Sequence, residues 1–325
     1  MTAAAVQDHH AFDRLEPRGT SVQLADLLRW KLAAPHIPLE NRRNSSQLAG
    51  GRRSTLRGRG IDFDEVRLYQ PGDDVRAIDW RVTARTGKPH TKIFREEKER
   101  PVLLVIDLRS PMFFGSRRCF KSVLAAHAAA LLAWATLEAG DRIGAMLLSD
   151  DGIIDIKPRR SRHTVLQLFR QVIDISQRQV LLARGEALSL DPPRWQDALQ
   201  QLRAVARPGS CTIFLSDFHD WHADCARTLH SVVRHSQCLA VQVSDPLETT
   251  LPPVGLARLR NGLQQALVDT SDRHLLARYQ KQNLIAQDLL RDNLQALGIP
   301  LLALQTHNPL FPALRAFLSN GGNRG

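Results

Sequence analysis

Apolar positions along the chain fall into two regimes that meet at Pro101. Beyond it, Val102, Leu103, Leu104, Val105 and Ile106 form a continuous, mostly β-branched run, which predicts a strand covered on both faces. That run ends in Asp107. Residues 117–139 predict a long helix, 142–148 a second strand, and 153–156 a short hairpin strand. Helices follow near 162–175 and 195–206. A second fully apolar strand, 211–216, also ends in an aspartate, Asp217, and leads to a helix at 223–234, a strand at 238–243, a long helix at 272–297 and a last strand at 301–304. Strands that alternate with helices imply a mostly parallel sheet with right-handed crossovers, an α/β architecture.

Before Pro101 the apolar residues are sparser. Residues 1–18 are polar and mixed, and 21–33 read as a helix carrying Val22, Leu24, Leu27 and Leu28. Residues 41–60 hold Arg42, Arg43, Arg52, Arg53, Arg57 and Arg59 among glycines and serines, with no acid. From 61 to 100 the pattern is short β-structure with turns. The expected organisation is a loose terminus at 1–18, a helix, basic loop and small β-rich segment at 19–100, and an α/β domain at 101–325.

Within the β-rich segment, residues 69–80 combine a turn, three carboxylates, an arginine and a tryptophan. Pro71 and Gly72 suit the centre of a type II turn. Ile78, Trp80 and Val82 alternate with Asp79 and Arg81, which predicts a strand with one buried and one wet face. Asp73, Asp74 and Asp79 can pair with Arg76, Arg81 and Arg85 as a solvated, register-fixing surface. The same Asp73, Asp74, Arg76 and Asp79 are candidate partner contacts.

Composition narrows the function classes. The chain has 325 residues, 43% of them apolar, a formal net charge of +11 and a pI near 10.2, which favours an acidic partner surface, an acidic polymer or an anionic membrane without specifying a fold. Cys119, Cys211, Cys225 and Cys238 lie far apart with no C-x-x-C spacing, as buried free thiols do. The first ten residues lack the pattern of a secretory signal, and no apolar run reaches the length of about 18 residues that spans a bilayer. A cytoplasmic protein without a membrane span is expected. There is no phosphate-binding G-x-x-x-x-G-K-[ST] loop and no G-x-S-x-G elbow, so nucleotide hydrolase and α/β-hydrolase chemistry lack their signatures. Asp217, His219, Asp220, His222, Asp224 and Cys225 concentrate metal-ligand types, but their spacing matches no familiar zinc set. A helix start with Asp220 as its cap and Asp224 in its first turn is the expected reading.

Open parallel sheets bind ligands beyond the carboxyl ends of their strands, where the strand order reverses, and Asp107 and Asp217 sit at such ends. Asp107-Leu-Arg-Ser-Pro-Met112 lies where von Willebrand factor A domains carry the Asp-x-Ser-x-Ser of their metal-ion-dependent adhesion site, and Ser216-Asp217 lies where they carry the third-loop aspartate. The 69–80 block, with Ala84-Arg85-Thr86-Gly87 and the following Asp107, resembles the bacterial family called domain of unknown function 58, which joins such a block to a von Willebrand A-like domain. The resemblance runs over roughly 45–220 and more weakly to the end, where 308–318 is similar to the family's closing helix.

It implies a von Willebrand A-like, mostly parallel sheet flanked by helices with an N-terminal β-rich extension. It also implies work beside MoxR-type AAA+ ATPases on a client protein, with no established enzymatic activity. The adhesion motif is degenerate: Arg109 and Pro111 stand where it has serines, and Ser189 is the only hydroxyl candidate for its second-loop threonine. A Mg²⁺ held by Asp107, Ser110 and Asp217 is one reading. The other is that Arg109 pairs with Asp107 or Asp217 and stands in for the metal charge, with Arg109 and Asp217 among the partner contacts. Nucleic-acid binding through the 41–60 arginines is the alternative function, although that segment has no aromatic residue to stack on bases.

Overall fold

The structure, a computed structural model, describes residues 12–39, 61–70, 75–96, 99–182, 192–261 and 264–319. The chain divides into two units, Met1–Arg42 together with Arg100–Gly325, and Arg43–Glu99. The smaller unit contains strand β1 (Ile61–Leu68), helix α2 (Trp80–Thr86) and strand β2 (His90–Glu96). The larger opens with helix α1 (Leu24–Arg29) and continues through β3 (Pro101–Asp107), α3 (Lys121–Glu138), β4 (Arg142–Ser149), β5 (Gly152–Arg159), α4 (Arg162–Leu182), α5 (Trp195–Val205) and β6 (Cys211–Ser216). It ends with α6 (Ala223–Val233), β7 (Gln237–Ser244), the short α7 (Pro246–Thr249), a hairpin of β8 (Leu256–Asn261) and β9 (Gln264–Asp269), α8 (Arg273–Ala296), β10 (Leu301–Gln305) and α9 (Leu310–Ser319).

The main sheet has the order β10-β7-β6-β3-β4-β5. Every pairing in it is parallel except β4 with the edge strand β5. Counted by chain order from the β5 edge this is 3-2-1-4-5-6, a doubly wound sheet whose order reverses between β3 and β6. The mostly parallel α/β architecture implied by the resemblance is therefore present. Side chains of β3 alternate between two cores, as the pleat requires. Val102, Leu104 and Ile106 face α3, α4 and α9, and Leu103 and Val105 face α5, α6 and the end of α8. Helix α3 is buried at every position from 121 to 136, because its sequence is apolar nearly all round and must be covered on all sides.

The N-terminal residues supply part of that cover. Residues 19–39, grouped from sequence with the β-rich segment, and the described part of the terminus expected to be loose, 12–18, belong to the larger unit: Leu27 and Trp30 are fully buried. Trp30 Nε1 donates to His127 Nδ1 at 2.9 Å, Trp134 Nε1 donates to the Leu27 carbonyl, and Glu16 accepts from the backbone N–H groups of Leu310 and Phe311 at the start of α9. The β8–β9 hairpin was not anticipated, since its apolar alternation is broken by Arg258, Arg260 and two glutamines. Among the described residues no helix is long and apolar enough to cross a membrane, and all four cysteines are buried and free.

In the smaller unit β1 and β2 pair antiparallel, but of the strand expected at 78–82 only Ile78 bridges a neighbour, Thr91, and residues 80–82 open helix α2. Asp79 caps it, accepting from the N–H groups of Arg81 at 3.0 Å and Val82 at 3.2 Å, and Gly87, at φ 71°, closes it in the left-handed region. Three alternating apolar residues are too few to outweigh a cap at each end, and Trp80 is accordingly 67% exposed. Pro71, Gly72, Asp73, Asp74, Ser189 and the 41–60 arginines lie outside the described residues.

Two measurements test this packing. A Cβ on Gly144 would lie 2.7 Å from the Ile156 carbonyl oxygen and 2.8 Å from Pro158, so Gly144→Ala is expected to cost about 1–3 kcal/mol in a urea unfolding curve. Burial holds the His127 imidazole down to about 4, with Asp26 and the Leu15 backbone opposing it less. The unfolded chain therefore takes the proton first. Stability is full above the ordinary histidine range and falls as pH drops from about 6.5 toward 4, by roughly 3 kcal/mol in total; His127→Gln is expected to flatten that part of the profile.

Candidate functional site

The parallel strands end in short polar residues: Asp107 on β3, Ser149-Asp150 after β4, Ser216-Asp217 after β6, Ser244-Asp245 after β7 and Thr306 after β10. Unpaired strand-end amides and nearby helix starts need acceptors, and short carboxylates reach them. At the reversal between β3 and β6, both oxygens of Asp107 are occupied. Oδ1 accepts from Arg109 N at 3.1 Å and Nε at 2.9 Å, and Oδ2 accepts from Arg109 Nη2 at 2.7 Å and Ser216 Oγ at 2.7 Å. The same Nη2 lies 2.8 Å from Asp220 Oδ1 as an ion pair, and Nη1 donates to the Pro193 carbonyl. Arg109 is 6% exposed. Burial works against its charge, but Asp107 and Asp220 outweigh that and hold the guanidinium above its ordinary pKa; Asp220 is depressed in return, against its own burial.

Loop geometry is built around this pair. Asp220 Oδ2 accepts from Trp195 N at the start of α5, rather than capping α6, whose N-cap is His222 without a side-chain bond. Ser216 Oγ also accepts from Phe218 N at 2.8 Å. Phe218 holds a left-handed φ of 58°, and its ring stacks on Trp195 with centroids 5.2 Å apart. A non-glycine residue in that region is strained and persists only where its surroundings impose it.

A second cation sits close by in sequence logic but in its own network. Lys121, the first residue of α3 and 1% exposed, donates to Asp217 Oδ2 at 2.7 Å and to Glu248. Burial opposes its charge and the two carboxylates raise its pKa despite that. Asp245 accepts from Ser116 N and Oγ, Thr306 Oγ1 and Leu247 N; burial would raise its carboxyl, and these donors lower it. Asp150 takes Ser110 N and Oγ and Gln179.

Asp107, Ser110 and Asp217 therefore lie in three separate networks, bound to Arg109, Asp150 and Lys121 respectively. Four donors fill the roughly four lone-pair positions of the Asp107 carboxylate, so these residues do not fit a divalent cation. Nor do the described histidines, cysteines and carboxylates anywhere form a group of three able to hold a metal; Cys225 and His222 contact each other, and Asp224 pairs with Arg227. Of the residues expected to meet a partner, Arg109 is buried within its pairs, Asp217 is half-buried against Lys121, Arg76 is exposed, and Asp79 is half-buried at its cap. Sequence reasoning passed over Lys121 and Glu248. A lysine opening an otherwise apolar helix was the available signal for the first; nothing local marked the second.

A doubly wound α/β domain with a charged strand-end site, joined to a small β-hairpin unit, is thus the class of protein. The chain belongs to the family described as protein of unknown function DUF58, whose model matches residues 65–288. Uncharacterized proteins of Mycobacterium tuberculosis and Mycobacterium bovis are each 29% identical to it over 286 residues, 85% of this chain and 85% of theirs. Similar solved structures include a conserved hypothetical protein BatB from Bacteroides thetaiotaomicron, at 12% identity, 69% of this chain, 100% of that chain and a TM-score of 0.38. A von Willebrand factor type A protein from Catenulispora acidiphila matches at 12% identity, 73% of this chain, 45% of that chain and a TM-score of 0.39.

Lys121→Ala leaves Asp217 as a buried charge without its partner and is expected to cost about 3–5 kcal/mol. Lys121→Met combined with Asp217→Asn is expected to recover much of that loss, read as the denaturation midpoint of each variant.

Proposed function

We propose that this chain is a non-enzymatic protein–protein interaction module, an adaptor that works with a MoxR-type AAA+ ATPase on a client protein. The observation that carries this reading is the engagement of the strand-end side chains. Asp107, Arg109, Lys121, Asp217, Asp220 and Asp245 are each committed to internal ion pairs or caps, which leaves none of them as the free, poised acid, base or nucleophile that catalysis requires. Their role is to position loops. Contact with the partner falls to the surface of the small unit, where Arg76 is exposed and Leu68, Val75 and Trp80 are exposed apolar side chains; an exposed tryptophan beside arginines is the composition of an interface anchor. Asp73 and Asp74, adjoining Val75, extend the proposed contact. No Mg²⁺ takes part, and the protein acts in the cytoplasm.

Pull-down from the native host with and without ATP tests this. Trp80→Ala and Arg76→Ala are expected to abolish co-purification of an ATPase while leaving the melting temperature unchanged. Retention of the ATPase by both variants rejects the small unit as the contact. Nucleic acid that co-purifies with the wild type and is lost when the 41–60 arginines become alanine supports the alternative, with affinity falling steeply with salt.

A further inference from the structure

We infer that Arg109 is a built-in, non-exchangeable substitute for the divalent cation of the adhesion site, so that the strand-end face of this chain is organised without metal. The inference stands independently of the adaptor reading. A cation at a strand-order reversal does two things: it neutralises carboxylates brought together by the fold, and it ties the loops that carry them. Arg109 does both. Its side chain engages Asp107 from the β3 loop through both carboxylate oxygens, Asp220 from the loop after β6, and the Pro193 carbonyl from the segment entering α5. Three loops separated widely in sequence are thereby fixed to one planar group.

The arrangement requires an arginine. Its guanidinium is permanently charged and offers a rigid fork of donors, whereas an ammonium is a point charge without the in-plane geometry that reaches both oxygens of one carboxylate and a second acid. Ser216 completes the site as a fourth tie, donating to Asp107 and accepting from Phe218 N. In a metal-dependent site that hydroxyl and the two carboxylates would be available as oxygen ligands. Here they are consumed by the protein's own cation, which neither dissociates nor responds to ion concentration.

The test uses the full chain with Mg²⁺, Mn²⁺ or EDTA as the only additions. Wild-type protein is expected to melt at the same temperature in all three and to show no saturable cation binding by calorimetry. Arg109→Ser removes the guanidinium, supplies a hydroxyl and uncovers Asp107, Asp220 and Ser216. It is expected to melt several degrees lower in EDTA, to recover part of that loss in Mn²⁺, and to bind the cation saturably; Arg109→Lys is expected to fall between the two in stability and to bind none. Should Arg109→Ser fail to fold in EDTA, soluble protein obtained only in Mn²⁺ supports the inference, and insolubility under both conditions overturns it. It is likewise overturned by cation-dependent melting of the wild type, by an Arg109→Ser variant as stable as the wild type in EDTA, or by one that is destabilised and neither rescued nor bound by cation.

Discussion

Two carboxylates meet where the sheet reverses its strand order, and the Arg109 guanidinium between them is what allows them to do so. Asp107 ends the central strand β3 and Asp220 follows its neighbour β6; without a cation between them, Asp107, 1% exposed, would keep only the Ser216 hydroxyl and a backbone N–H as donors, and the loss of a buried charge's partner is strongly destabilising. The pair also sets the path of the chain beyond the strands. Through Asp220 it fixes the first turn of α5, and through Ser216 it fixes the strained backbone at Phe218. The ring of Phe218 then completes an aromatic cluster with Trp195 and Trp221, so one of the two cores is capped by geometry that begins at a single salt bridge.

The rest of the strand-end surface follows the same rule by different means. Lys121 resolves Asp217 and Glu248, hydroxyls and amides resolve Asp245, and Ser110 with Gln179 resolves Asp150. A chain with a net charge of +11 thus places a group of carboxylates at one end of a parallel sheet and satisfies them with its own donors. These fixed charges hold the loops that follow the parallel strands.

Legibility in the sequence tracked the range of the interaction. Strands β3 and β6 were plain because burial on both faces leaves an unbroken apolar run, and α3 because it is apolar over many turns. Helix α2 was misjudged as a strand because its two caps, Asp79 and Gly87, determine its state more than the alternation of Ile78, Trp80 and Val82. The site itself was half legible. Asp107 and Arg109 are two residues apart, so their pairing could be anticipated, but Lys121 finds Asp217 across 96 positions and Ser116 finds Asp245 across 129. No spacing rule reaches that far. Only the recurrence of a serine followed by an aspartate after β4, β6 and β7 hinted that these ends form one polar layer.

The seam between the N-terminal residues and α3 sets an order of events during synthesis. Trp30 emerges from the ribosome 97 residues ahead of His127, its hydrogen-bond partner, an interval of about 5–20 s at typical elongation rates. Throughout that time the tryptophan and Leu27 have no groove to enter, because the helix that forms it does not yet exist. These residues therefore cannot settle until α3 has been made, and their arrival seals an apolar helix that would otherwise face water.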